Sequence, residues 1–259
     1  LTGVKLKSDF FTSLRNLRRL SLKSCDFSNL EDDAFKSLTN LDALQIICPV
    51  NCSHIHFKDL VGLKWLDLDV NDQHVPLYES SNPNLKVLVF NHYCETKDSL
   101  ITIPSLCYPK LKALRFYVNI EQNVKDSLVE FDLGWLCQER QMNNLRSSAS
   151  SEFANSSNSN LKFMVLAGVK PINCCFSSFP NLRSLYLHSN YGFAFYPDMF
   201  HGLNKLKKLI ISNNKIDVKQ GGLFNGLSNL HDLSLERSTI ISSIDQLISH
   251  SLENLIRLN

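Results

Sequence analysis

Apolar positions along this chain change period within single short segments. In LNKLKKLIISNNKI, residues 203–216, leucines stand three apart at Leu203, Leu206 and Leu209, and then Leu209 and Ile211 stand two apart. Spacing by three suits a turn, and spacing by two suits a strand with one buried face. The same skeleton, L-x-x-L-x-x-L-x-L, recurs in LRNLRRLSL from Leu14, LTNLDALQI from Leu38, LVGLKWLDL from Leu60 and LSNLHDLSL from Leu227. Marking the second leucine of each unit gives Leu17, Leu41, Leu63, Leu85, Leu111, Leu161, Leu182, Leu206, Leu230 and Leu255. The steps are 24, 22, 22, 26, 50, 21, 24, 24 and 25 residues. The step of 50 equals two repeats, so one unit there is degenerate or carries an insertion.

A period of this length with an L-x-x-L-x-L-x-x-N core is the signature of a leucine-rich repeat. The expected fold is an α/β solenoid, a horseshoe with a parallel β-sheet on its concave face and loops and short helical turns on its convex face. Each unit is one coil: Leu209 and Ile211 point into the core, and Ile210 points out. A phenylalanine on the return arc, as at Phe35, Phe200 and Phe224, supplies a second anchor. Asn214 recurs as Asn71, Asn119 and Asn190, where a buried amide can bond the backbone of neighbouring turns. Other coils place Cys25, Pro49, Tyr93, Val169 or Ser238 there, so this ladder is expected to be imperfect. About ten repeats form a single domain over 1–259, with repeats running into both ends and no capping unit, as in a fragment of a longer protein.

Residues 137–160 form an irregular Ser/Asn-rich insertion within that domain. SLVEFDLGWL, Ser127 to Leu136, precedes it and can hold a degenerate strand at Leu128, Phe131 and Leu133. The Ser/Asn-rich part has too few apolar residues to help build a core and is expected to be an exposed loop. Two readings stay open for it, a tolerated insertion or a loop that is processed or touches a ligand.

Composition changes this picture little. The chain has 259 residues, 44% of them hydrophobic, with a formal charge of +2, which gives no signal for nucleic acid. No apolar run approaches the roughly 20 residues of a membrane span. The eight cysteines bear on compartment. Cys94 and Cys107 flank a polar bulge, Cys48 and Cys52 bracket Pro49 to Asn51, and Cys137 has Cys174 or Cys175 as a candidate partner. Spacing does not fix this connectivity. Cys25, at the ladder position, is expected to be a buried thiol. Asn51 and Asn155 begin acceptor sequons for glycosylation in irregular segments. Together these features point to an oxidising, extracellular or endosomal setting.

The units PDMFHGLNKLKKLIISNNKI and EDDAFKSLTNLDALQI resemble the repeats of Toll and Toll-like receptor ectodomains. Related units occur in extracellular adhesion and guidance proteins. The resemblance implies a horseshoe ectodomain of a membrane-anchored innate-immune or developmental receptor. Such a receptor binds a protein or microbial-pattern ligand, dimerises and signals through a cytoplasmic domain. An adhesion or structural scaffold is the alternative.

No catalytic constellation is found: G-x-S-x-G, phosphate-loop and H-E-x-x-H patterns are absent, so no enzymatic activity and no cofactor is expected. Cys48, Cys52, His54 and His56 lack a usual zinc spacing, and no metal is expected. Asp67 and Asp69 fall on successive outward strand positions and read as an exposed acidic patch. Large anchor residues concentrate at Arg115, Tyr117, Phe163, Tyr186 and His188, which are the candidate ligand-binding residues. A lateral column, Arg18, Lys64, Lys86, Lys112, Lys162, Arg183, Lys207 and His231, is basic. It reads as a solvated flank in preference to a polyanion site.

Overall fold

The computed structural model describes residues 1–7, 9–28, 30–31, 33–48, 57, 59–70, 82–94, 100–102, 108, 110–120, 129–132, 160–172, 176–190, 193–218, 221–241, 243, 247 and 252–259. Its strands, in chain order, are β1 (Arg19–Lys23), β2 (Ala43–Cys48), β3 (Trp65–Val70), β4 (Val87–Cys94), β5 (Leu100–Thr102), β6 (Ala113–Ile120), β7 (Val129–Asp132), β8 (Phe163–Ala167), β9 (Val169–Ile172), β10 (Ser184–His188), β11 (Lys208–Ser212), β12 (Lys215–Ile216), β13 (Asp232–Ser234), β14 (Thr239–Ile240) and β15 (Arg257–Leu258). A 3₁₀ turn at Phe176–Ser178 is the one helical element of more than a single residue among the described residues.

The chain forms two compact units. The first comprises Leu1–Ser99 and Ile103–Ser127, and the second comprises Leu100–Thr102 and Leu128–Asn259. In the first unit β1, β2, β3, β4 and β6 pair in parallel, in that order. In the second, β8, β10, β11, β13 and β15 do the same. This is the parallel solenoid of leucine-rich repeats that the period predicts.

The switch of period has a backbone cause. The amide of the phase leucine bonds the carbonyl three residues earlier in coils of both units: Leu41 to Leu38 at 3.1 Å, Leu63 to Leu60 at 2.9 Å, Leu206 to Leu203 at 2.9 Å and Leu230 to Leu227 at 3.0 Å. That turn brings both leucines inward before the strand begins. In β1, β3, β10 and β11 alternate residues are buried: Leu20 and Leu22, Leu66 and Leu68, Leu185 and Leu187, and Leu209 and Ile211. One buried leucine contributes about 2 kcal/mol by removing apolar surface from water.

Phe35, Phe200 and Phe224 are buried on the return arcs, as expected, and they have company. Phe11 contacts Phe35 with ring centroids 5.3 Å apart in the first unit. Phe176, Phe200 and Phe224 form a run in the second, at 5.6 and 6.4 Å. Asn82 takes the place of the first leucine of its coil, where it is buried and donates to Leu60 O at 2.6 Å.

The asparagine ladder exists in the second unit and continues where the sequence suggested a break. Asn190 Nδ2 donates to Leu166 O, and its Oδ1 accepts from the Val169 amide, both at 3.0 Å. Asn214 Nδ2 donates to Leu187 O and Ser212 O at 2.9 Å each. Ser238 then stands in for asparagine, accepting from the Asn214 amide at 3.2 Å and donating to Ile211 O at 2.7 Å. Cys25 occupies the same position in the first unit and is buried, with its sulfur 3.6 Å from Lys23 O and 3.8 Å from Leu1 O. Asn71 lies outside the described residues, and Asn119 lies within β6.

The degenerate strand expected around Leu128, Phe131 and Leu133 forms as β7, but it joins β5 and β9 in a separate three-stranded parallel sheet. The insertion lies outside the described residues except Asn160.

Candidate functional site

Strand register decides which outward side chains are neighbours. In the second unit, pairing of β8 with β10 sets Phe163 against Ser184, Val165 against Tyr186 and Ala167 against His188. Phe163 and Tyr186 touch, with ring centroids 5.3 Å apart and planes tilted by 48°. On the other side β11 places Ile210 against Tyr186 and Ser212 against His188. Lys208 Nζ lies 5.7 Å from the centre of the Tyr186 ring, within cation–π range, and His188 Nδ1 lies 2.7 Å from Ser212 Oγ. Phe163, Tyr186 and His188 therefore share one patch, and Tyr186 is at its centre.

Two outward positions of β8 behave differently from the alternation rule. Val165 and Ala167 are buried. Each is short and stands in register with a taller residue, Tyr186 or His188, so side-chain height removes it from solvent. Tyr186 and Phe163 are accordingly half-buried, whereas His188 is exposed.

In the first unit, pairing of β3, β4 and β6 forms two rows, Asp67–Val89–Arg115 and Asp69–Asn91–Tyr117. Arg115 and Tyr117 are exposed, Tyr117 at 37%. The acidic residues are half-buried, not a fully solvated patch, because they belong to a polar chain across the strands. Ser21 Oγ donates to Gln45 Oε1 at 2.8 Å, and Gln45 Nε2 donates to Asp67 Oδ2 at 2.9 Å. Burial, reinforced by the charge of Asp67, raises the Asp69 carboxyl above its ordinary value against a hydrogen bond from Asn91. Sequence reasoning missed Lys208 as part of these surfaces. The signal that finds it is its column position, two residues before Ile210, once the strands are aligned.

The basic column is not uniform. Asp42 stands within it and accepts from Lys64 Nζ at 2.6 Å and from Arg18 at 3.2 Å. The bond from Lys64, then that from Arg18, holds the Asp42 carboxyl below its ordinary value.

Cys48 ends β2 and Cys94 ends β4, while Cys52, Cys107, Cys137 and Cys174 lie outside the described residues. Asn51 and Asn155 lie outside them too, as do His54 and His56. Among the described residues no helix is long and apolar enough to cross a membrane.

The family profile for the leucine rich repeat matches residues 5–72 and 180–240. No curated protein matches the chain in sequence. Among solved structures, an internalin (inlF) from Listeria monocytogenes is 16% identical, over 99% of this chain and 71% of its own, with a TM-score of 0.51. The leucine-rich repeat domain of APL1B is 17% identical, over 98% of this chain and 72% of its own, with a TM-score of 0.47. The TLR13 chain of a TLR13–ssRNA13 complex is 20% identical, over 93% of this chain and 39% of its own, with a TM-score of 0.36. Repeat skeleton, parallel strand ladders and matching profile agree: the chain is a leucine-rich-repeat solenoid.

Proposed function

We propose that this solenoid is a non-catalytic recognition domain that binds a protein or microbial-pattern ligand through the outward faces of its strands. The observation that carries the reading is the patch of Phe163, Tyr186, Lys208 and His188 on three adjoining strands. Rigid aromatic side chains with a cation beside them are the residue types that dominate protein interfaces, since they bury large area at small entropic cost. Arg115 and Tyr117 offer the same chemistry on the first unit.

The receptor setting we infer is that of a Toll-type ectodomain, facing the extracellular or endosomal space, with ligand-driven dimerisation and a membrane anchor elsewhere in the protein. The repeat units with a return-arc phenylalanine support it. The experiment is to express the complete coding sequence on cells and apply candidate ligands. A cytoplasmic signalling domain that responds, and loses its response with Tyr186→Ala, supports the reading. Ligand capture without any signalling module favours an adhesion solenoid instead. Non-reducing peptide mapping tests the compartment: a Cys94–Cys107 disulfide is expected, and both thiols reduced in secreted material argues against it.

A further inference from the structure

The residue just before each phase leucine is usually asparagine, and its amide caps the preceding coil. Asn40 Nδ2 donates to Arg15 O at 3.0 Å, Asn84 Nδ2 to Val61 O at 2.9 Å, Asn229 Nδ2 to Asn204 O at 2.7 Å and Asn254 Nδ2 to Ser228 O at 2.7 Å. In each case the acceptor immediately precedes the equivalent position one coil earlier. Lys110 and Lys205 interrupt this series with long cationic side chains, and Gly62 interrupts it with no side chain at all. A Cβ placed there would stand 3.4 Å from Thr39 O, an ordinary contact, so the backbone admits a side chain that the sequence does not supply. Thr39 O, the acceptor such an asparagine would reach, takes no hydrogen bond among the described residues.

Gly62 lines a groove of about 500 Å³. Its walls carry Arg18, Lys64, Lys86 and Lys110 against one carboxylate, Asp42. Arg18 and Lys64 share that carboxylate, Lys110 Nζ is held by Asn84 Oδ1 at 2.9 Å, and Lys86 has no partner among the described residues. One carboxylate does not balance four cations. Adjacent strands are about 4.8 Å apart, so successive cations of the column present charge at that interval.

We propose that this groove is a binding site for a sulfated oligosaccharide, distinct from the outward strand surface that takes the main ligand. Sulfates would meet Lys86 and Lys64, and sugar hydroxyls would donate to Thr39 O in place of the absent amide. Nucleic acid fits less well, because none of the lining residues is aromatic and bases have nothing to stack on. A volume of this size suits a short glycan segment.

The test uses a heparin-derived tetrasaccharide as probe, with isothermal titration at low and high salt. Gly62→Asn projects a side chain from the Gly62 wall into the groove and offers its amide to Thr39 O without touching charge. It should weaken binding about tenfold, the loss expected when charge-assisted contacts are blocked, while leaving the melting temperature unchanged or higher. Lys86→Gln should weaken binding to a similar degree, and Lys207→Gln, on the same column in the second unit, should not. If Gly62→Asn lowers the melting temperature, Lys86→Gln alone carries the test, since it alters only a surface charge. Equal losses for Lys86→Gln and Lys207→Gln would mean diffuse attraction to the column and overturn the site. Absence of tetrasaccharide binding, or tighter binding of a single-stranded RNA of equal charge, would overturn the ligand class.

Discussion

Asn214 Oδ1 accepts the backbone amide of Asn190 at 2.9 Å, and Asn190 in turn accepts that of Val169 at 3.0 Å. Each asparagine side chain donates to and accepts from the preceding coil, each backbone amide donates to the following one, and both residues are at most 3% exposed. Stacking of coils therefore depends on residues that bond in two directions. Asn190→Asp keeps the shape and the acceptor but removes the donor to Leu166 O and buries a charge. It should destabilise the fold by about 3 kcal/mol or more, read as a lowered denaturant midpoint. Ser238→Ala should cost about 1–3 kcal/mol, since Ile211 O and the Asn214 amide lose the hydroxyl. Midpoints equal to the parent for both variants would refute the ladder.

The strand phase makes a sharper contrast between neighbours in sequence. Leu209 is fully buried, whereas Ile210 faces outward and is half-exposed. Leu209→Ala should open a cavity and cost roughly 2–5 kcal/mol. Ile210→Ala should cost less than about 1 kcal/mol. Reversed magnitudes in urea melts would mean that the strand is read in the wrong register.

Leu209, Ile211 and their counterparts were legible because a two-residue period names the buried face directly. The asparagine ladder was legible at Asn190 and Asn214, where the residue type repeats. Its extension to Ser238 was not, because a hydroxyl does the amide's work only once the coil places it beside Ile211 O. Burial of Val165 and Ala167 was hidden for a similar reason, since it depends on the height of Tyr186 and His188 across the strand pair. The strand at Val129–Asp132 was visible as local propensity, but its partners were not. Pairing with Leu100–Thr102 and Val169–Ile172 is a long-range choice that no local pattern encodes. The groove beside Gly62 becomes readable only when the repeats are aligned column by column.

Tyr117 and Tyr186 look equivalent in sequence and differ in their surroundings. Tyr117 is exposed, so Tyr117→Ala should change stability by less than about 0.5 kcal/mol. Tyr186 contacts Phe163 and Lys208, and Tyr186→Ala should cost about 1 kcal/mol of stability through those contacts. If either is an anchor, ligand affinity should fall by about 2 kcal/mol. Surface plasmon resonance with folded variants decides the matter: full affinity in both would remove the outward strand face as the binding surface.

Asp69 sets a pH dependence whose sign is opposite to that of the paired carboxylates. Burial and the neighbouring Asp67 raise its carboxyl above the ordinary value, with Asn91 opposing. The folded chain then holds this proton more tightly than the unfolded chain does. Its stabilising contribution is complete in acid, below the ordinary carboxylate value, and is lost as pH rises from there through the raised folded value. Asp42 and Asp232 run the other way. Hydrogen bonds from Lys64 and Arg257 lower them, so their contribution is present near neutrality and is lost as pH falls through their folded values. Asp69→Asn leaves Asn91 an acceptor and removes the charge that burial disfavours. Its melting temperature should therefore exceed the parent's at neutral pH, and the advantage should shrink as the solution is acidified. Asp42→Asn should show the reverse trend, falling below the parent near neutrality and converging with it in acid. A thermal-melt series from acid to neutral pH measures both, and an Asp69→Asn variant less stable than the parent at neutral pH would contradict the assignment.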